Sequence, residues 1–334
     1  MDGTSTVCGR PRARRAGRRA RTGALLSALA AAALLAGCTV TGPDGDDGRG
    51  RSDGGRDGRT SAPPVGSVLA VKIDNVSAAR PQTGLDAADI VYAEQVEGGL
   101  SRLMAVYATT FPESVGPVRS ARESDLELLR QFDEPTLAFS GAQGKLLPLI
   151  DRAPLHAETP GDAEGAYFRG DEKPVPHNLY LRPKELIDSP PGAEALTTGF
   201  RYGPLPDGGT PEDSRTVRYP AARFTFAWSQ ESRRWEVSMD GTRAVTTDGT
   251  RVAPATVVIQ HVTIRESRFH DYLGNNTPYT QTVGSGRAEV LRDGRVFDTR
   301  WERRTPADGT AFTTADGEPM TFARGQVWVV YAKA

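Results

Sequence analysis

Four Asp-Gly pairs do most to limit what this chain can fold into: Asp240-Gly241, Asp248-Gly249, Asp293-Gly294 and Asp316-Gly317. Asp-Gly supplies the positive φ angles of a tight hairpin turn, and each pair stands between runs of strand character. Phe224, Phe226 and Trp228 alternate along one run, and Trp235, Val237 and Met239 along another. A period of two puts such side chains on one face of a strand, so they read as core rather than as a carbohydrate platform. Residues 257–264 form an apolar run suited to a central, buried strand, Phe297 and Trp301 share a face, and 326–331 closes the chain. A mainly antiparallel β domain is therefore expected over 221–334.

The preceding stretch has a different pattern. Residues 68–73 are strand-like and end in Asp74-Asn75. Residues 89–97 and 100–109 flank Gly98-Gly99 as a hairpin, 136–140 form another strand, and 144–150 and 183–187 read as short helices. Strands interleaved with helices indicate an α/β-type layered domain over 67–188, and the hairpin makes its sheet mixed. The fold class is α+β, with the Pro- and Gly-rich residues 189–220 as a connector.

The first residues give an address. Seven arginines between Arg10 and Arg21 precede an apolar stretch at 24–36, too short to remain as a membrane span, and then Leu35-Ala36-Gly37-Cys38. That ending resembles the bacterial lipobox, in which the cysteine is lipidated and becomes the first residue. Residues 1–37 are then a signal peptide, 38–66 a Gly/Asp/Arg-rich disordered tether, and Cys38 anchors the protein outside the cytoplasm on the outer face of the membrane. Cleavage discards Cys8, so no disulfide is available and the mature 297 residues depend on a buried core. Removing seven arginines and one acid from 41 basic and 42 acidic side chains leaves 34 against 41, a net of −7. An acidic body of this kind argues against nucleic acid as a partner.

Candidate chemistry centres on Gly116-Pro117-Val118-Arg119-Ser120-Ala121-Arg122-Glu123. Ser120 and Glu123 have capping-box spacing, which starts a helix at Ala121, with Arg119 and Arg122 beside its first turn. Exposed helix-start amides and two guanidiniums suit a carboxylate or phosphate, although Ser120 and Glu123 satisfying the helix end themselves fits the same residues. Asp74 and Asn75 end the first strand, where α/β sheets place ligands. Arg80 adds charge, and His177 and Asn178 follow Pro174-Val175-Pro176 on a constrained loop. Asp74 and Glu97 would orient the arginines by salt bridges. Glu94 and Glu97 have the odd separation that sends strand residues to opposite faces, so they are not expected to act as an acid/base pair, and Glu94 reads as surface charge. His156, His261 and His270 lack metal-ligand spacing, and no metal or cofactor is expected. Gly284-Ser285-Gly286 lacks the remainder of a phosphate loop and reads as a turn or bulge.

Several stretches resemble the YerB-like bacterial lipoproteins: Val71-Lys72-Ile73-Asp74-Asn75, Arg80-Pro81-Gln82-Thr83-Gly84, Val96-Glu97-Gly98-Gly99-Leu100-Ser101-Arg102, Gly116 through Arg122, and Pro176-His177-Asn178. The likeness resumes at Thr282-Val283-Gly284-Ser285-Gly286 and at Gly325-Gln326-Val327-Trp328. It implies an N-terminal α/β-type domain, a C-terminal mainly β domain and attachment through lipid, and it supplies no catalytic residues. Ser140-Gly141-Ala142 stands where the family pattern has a bulkier residue or a histidine. The expected role is an envelope protein holding an anionic ligand, such as a cell-wall fragment, or an acidic segment of a partner protein, at Asp74, Asn75, Arg80, Glu97, Arg119, Ser120, Arg122, His177 and Asn178. Two rivals are an envelope hydrolase using Glu97 or Asp74 as general acid/base, and a non-catalytic scaffold that docks another envelope protein.

Overall fold

Strands whose two faces are both apolar must be covered on both sides, and the long runs of this chain obey that rule. The computed structural model describes residues 66–271 and 274–334, together with the backbone of Arg49–Gly50. The expected signal peptide, Cys38 and nearly all of the tether lie outside the described side chains. The central strands are β1 (Leu69–Asp74), β2 (Ile90–Gln95), β3 (Ser101–Tyr107), β4 (Thr136–Ala138) and β5 (His156–Glu158) from the first half. The second half adds β6 (Thr256–Val262), β7 (Gly284–Arg292), β8 (Arg295–Arg303) and β9 (Val327–Lys333). All nine belong to one sheet of eleven strands, in the order β8-β7-β6-β9-β2-β3-β1-β4-β5, with Thr210–Pro211 and Ala311–Thr314 also pairing β8.

The closing strand decides this arrangement. β9 pairs in parallel with β6 on one side (Val258↔Val329) and with β2 on the other (Val329↔Tyr92), so the two sequence halves share one hydrogen-bonded sheet. The α+β class and the mixed sheet are as expected. The second half, however, is not purely antiparallel, because its last strand runs alongside β6. The 189–220 stretch is not a plain connector either. It contributes Thr210–Pro211 to the large sheet and Ser214–Arg218 to a second sheet with Arg223–Ser229, Arg234–Met239 and Thr242–Arg243. The described residues belong to one compact unit spanning Gly45–Ala334.

Alternation along the strands splits the core into two layers. Leu69, Val71 and Ile73 face Phe224, Phe226, Trp235 and Val237 of the second sheet. Ala70, Tyr92, Met104 and Val329 face the other way, toward Leu128 and Leu129 of α1 (Glu123–Leu129). Lys72, Asp74 and Glu94 have the parity of that second set, so their charged groups project from the sheet toward α1. The hairpin at Gly98-Gly99 forms as expected, with a single turn of 3-10 helix (Glu97–Gly99) linking β2 to β3. Gly99 has φ +72, and a Cβ there would lie 2.5 Å from Pro220, so this turn accepts only glycine.

Candidate functional site

The helix start differs from the capping-box expectation. α1 begins at Glu123, Arg122 occupies the N-cap position, and Asp125 accepts the Arg122 N–H at 2.7 Å. Ser120 is buried, its hydroxyl 3.4 Å from Ser140 Oγ, and its carbonyl accepts from Arg102. The acid that caps is therefore at position 125, because the chain turns into the helix two residues later than the Ser120–Glu123 spacing implies.

Eight of the nine nominated residues gather at one end of the central sheet. Asp74, 1% exposed at the end of β1, forms an ion pair with Arg119, whose Nε is 2.8 Å away, and a hydrogen bond with His177 Nδ1 at 2.8 Å. Asn75 accepts from Arg80 Nε at 3.1 Å and Gln82 Nε2 at 2.8 Å, and donates to Ser101 Oγ at 2.9 Å. Arg80 also reaches Asp240 at 2.9 Å in the second half. Glu97 holds Arg122 through two bonds, 2.7 Å to Nε and 2.8 Å to Nη2, and accepts Thr277 Oγ1 at 2.5 Å. Asn178 stands apart, its amide committed to Gly170 O and its carbonyl to Arg169. The expected Asp74 and Glu97 salt bridges are present, and with them the charge of both arginines is matched inside the protein.

The chain itself covers the place foreseen for a guest. The hairpin Ile264–His270 and Asn276–Thr280 lies against α1. Ser267 Oγ donates to Glu123 at 2.5 Å, Thr280 N–H to Ser124 Oγ at 2.9 Å, and Thr277 to Glu97. At the other end of α1, Arg303, 1% exposed, donates to the Glu127 and Leu128 carbonyls, and Glu127 accepts Tyr279 OH and the Thr282 and Val283 amides. The space left beside Arg122 and Glu97 is about 20 Å³, room for roughly one water.

Two carboxylates here behave oppositely. Burial pushes the Glu97 carboxyl up, but the Arg122 charge and hydrogen bonds, Arg102 and Thr277 outweigh it and bring its pKa down to about 2. Burial raises that of Glu94, with Lys72 acting against the rise. Glu94 is not surface charge: it is 5% exposed, and with Asp125 Oδ1 at 2.6 Å it encloses the fully buried Lys72 ammonium. This triad was missed by sequence reading. The available signal was parity: a lysine between Val71 and Ile73 in a doubly covered strand has to find buried acids.

Elsewhere, Gly284-Ser285-Gly286 opens β7 in regular register with β8 (Gly286↔Trp301) rather than forming a turn. It borders a cavity of about 430 Å³ that also touches His261, Thr263, Gln281, Arg287 and Trp301. Among the described residues, no group of three or more His, Cys, Asp or Glu could hold a metal ion, and no helix is long and apolar enough to cross a membrane.

Comparison with known proteins agrees with this two-part pattern. Residues 58–195 match the family model "Protein of unknown function (DUF3048) N-terminal domain" and 215–329 match its C-terminal counterpart. A Bacillus subtilis (strain 168) protein named "Putative lipoprotein YerB" is 27% identical over 271 residues, covering 78% of this chain and 80% of that protein. A crystal structure of the YerB protein from Bacillus subtilis superposes with a TM-score of 0.66 at 22% identity, over 80% of this chain and 91% of that one, a likeness of fold. Both halves are thus matched in sequence and the fold in three dimensions, and the chain belongs to the DUF3048 family.

Proposed function

We propose that this protein is a lipid-anchored component of the outer face of the cell membrane, and that it acts by binding rather than by hydrolysis. The anchor reading rests on the basic run, apolar stretch and Cys38 of the sequence, and on the lipoprotein name of the Bacillus subtilis relative. Replacing Cys38→Ser should move the protein from the membrane fraction to the medium or soluble fraction; unchanged membrane retention would overturn it.

One observation carries the non-hydrolytic reading: every carboxylate nominated for acid/base work is already held by an arginine of the same chain. Glu97, ionised down to about pH 2, holds no proton to donate at neutral pH. Asp74 is buried against Arg119 and His177 and could reach a substrate only by giving up both. The test is incubation of wild-type and Glu97→Gln protein with insoluble cell-wall material. Neither should release soluble fragments; release by wild type alone would restore the hydrolase.

The same pairings bear on where a ligand binds. An anion at Arg119 and Arg122 would have to displace Asp74 and Glu97, whereas the second half offers open space. Binding or docking through residues 221–334 is the better-supported form of the reading. Crosslinking from that half in intact cells should recover a wall fragment or an envelope protein.

A further inference from the structure

The second sheet turns one face to the core and the other to solvent. Val217, Phe224, Phe226, Trp235, Val237 and Met239 are buried against the central sheet. By the period of two, Thr216, Arg218, Arg223, Thr225, Ser238 and Arg243 therefore point outward. Register sets them in two adjoining rows. Arg218 lies opposite Arg223, and Thr216, Thr225, Ser238 and Arg243 make the row beside them. Like charges directly opposite one another destabilise a strand pair.

The acids that border these rows are taken by other arginines: Asp240 by Arg80 at 2.9 Å and Glu236 by Arg251 at 2.7 Å. Asp248, on the hairpin that follows, accepts the Thr246 hydroxyl and the Thr250 N–H. Asp213 and Glu231 stand at the far end of the sheet, beside the turn after Ser229. Arg218, Arg223 and Arg243 are all exposed, and no carboxylate pairs with any of them among the described residues. Three positive charges are thus gathered on one face of a chain whose mature net charge is −7.

The tip beside the arginines is apolar. Residues 219–222 join the strands that carry Arg218 and Arg223, and Pro220 and Ala221 are exposed there. Ala221 N–H donates to Gly99 O at 2.9 Å, which sets this turn against the one that ends in Leu100. Leu100 is 39% exposed, a state shared by only three other large apolar side chains among the described residues. Arginines beside an exposed apolar tip match an anionic headgroup layer, where guanidiniums meet phosphates and the apolar groups reach the acyl boundary. A dissolved polyanion would engage the arginines and leave Leu100 and Pro220 in water, so the lipid surface accounts for both features.

We propose that this end of the protein rests on anionic lipid headgroups, with Arg218, Arg223 and Arg243 on their phosphates and Leu100 and Pro220 entering the interface. The proposal rests on the anchor reading above, which brings the membrane within reach. A chain as long as 38–66 spans at most roughly 100 Å, so the anchor leaves the orientation open and the arginine face sets it.

The test uses the mature chain with Cys38→Ser, so that no lipid contributes, in co-sedimentation with vesicles of phosphatidylcholine alone or mixed with phosphatidylglycerol. Binding should be confined to the anionic vesicles and weaken as salt is added. Arg218→Ser/Arg223→Ser should lower the affinity about twentyfold, roughly fivefold for each arginine. That variant should melt no lower than wild type, because it removes a like-charge pair, so lost binding is not lost fold. Arg130→Ser/Arg152→Ser makes the same change in net charge at two exposed arginines on the α1 side of the central sheet. It should leave binding within about twofold at about 0.1 M salt, where distant charges are screened. Leu100→Trp should add an indole emission that shifts to the blue on anionic vesicles. The proposal is overturned by equal binding to neutral vesicles, by unchanged binding of Arg218→Ser/Arg223→Ser, by an equal loss in the Arg130→Ser/Arg152→Ser control, or by unshifted emission from bound Leu100→Trp. Binding of soluble polyphosphate with none to vesicles overturns it too, and assigns the arginines to a polymer. Fractionation of cells making wild-type protein separates the levels. Membrane retention there without vesicle binding removes this surface and leaves the anchor standing; neither retention nor vesicle binding removes both.

Discussion

Two regions of this protein were marked out by opposite kinds of evidence, and they behave oppositely. The first turn of α1 and the ends of β1 and β2 are dense in charged residues, which drew attention in the sequence, and nearly every charge is matched by a partner. The parting of β6 and β7 holds the open space, although its Gly284-Ser285-Gly286 stretch reads in sequence as a turn or bulge. Charge density in a sequence marks places that must be internally satisfied if they fold into a core. Vacancy arises where two strands stop pairing, and no local residue pattern announces that.

If the first region is a satisfied interior and the second an open wall, substitutions should separate them by cost. The largest effect is expected for Lys72→Met, which leaves Glu94 and Asp125 facing each other without their cation. Urea unfolding should show a loss of about 3–5 kcal/mol. A loss below that of any cavity variant would break the comparison.

Glu97→Gln comes next, and its pH dependence sharpens the point. The folded pKa of about 2 lies below the ordinary carboxylate value of 4.5. Its contribution is thus complete above that ordinary value and lost as pH falls toward 2, on the order of 3 kcal/mol near neutrality. Wild type should lose stability through this acid window, and Glu97→Gln, already weaker at neutral pH, should show a flatter acid limb.

Arg303→Leu should cost about 2 kcal/mol by stranding the α1 carbonyls it caps. Amide exchange should accelerate in α1 and in residues 279–283 together, because Glu127 joins them. Gly286→Ala should cost about 1–2 kcal/mol from crowding at Trp301, together with a change in indole fluorescence. The smallest effect belongs to Arg287→Gln, within about 0.5 kcal/mol of wild type, since the side chain is mostly exposed. A cost comparable with that of Lys72→Met would show that the cavity wall is as interlocked as the helix start.

Much of the local structure was legible. The Asp240-Gly241 and Asp293-Gly294 turns, the alternating aromatics of 224–239 and the Gly98-Gly99 hairpin all follow from φ preference and period-two burial. The Asp74–Arg119 and Glu97–Arg122 pairs were foreseen as supports for a ligand. What went unread was their sufficiency, because the hairpin that places Thr277 on Glu97 is 180 residues away in the chain. Glu94 was misjudged for a related reason. Its strand is covered on both faces, and one covering layer, α1, lies well downstream.

The sequence alone determined the strand-and-turn grammar, the lack of any cysteine after Cys38 and the family pattern, since each depends on the residues themselves and their near neighbours. Tertiary structure decided that β9 would join both halves in one sheet, that α1 would be roofed by the chain's own hairpin, and that space would open between β6 and β7. These outcomes depend on pairing between segments far apart in sequence. Local preference is similar for a strand that finds a neighbour and for one that does not, so only the folded arrangement distinguishes a filled interior from an open site.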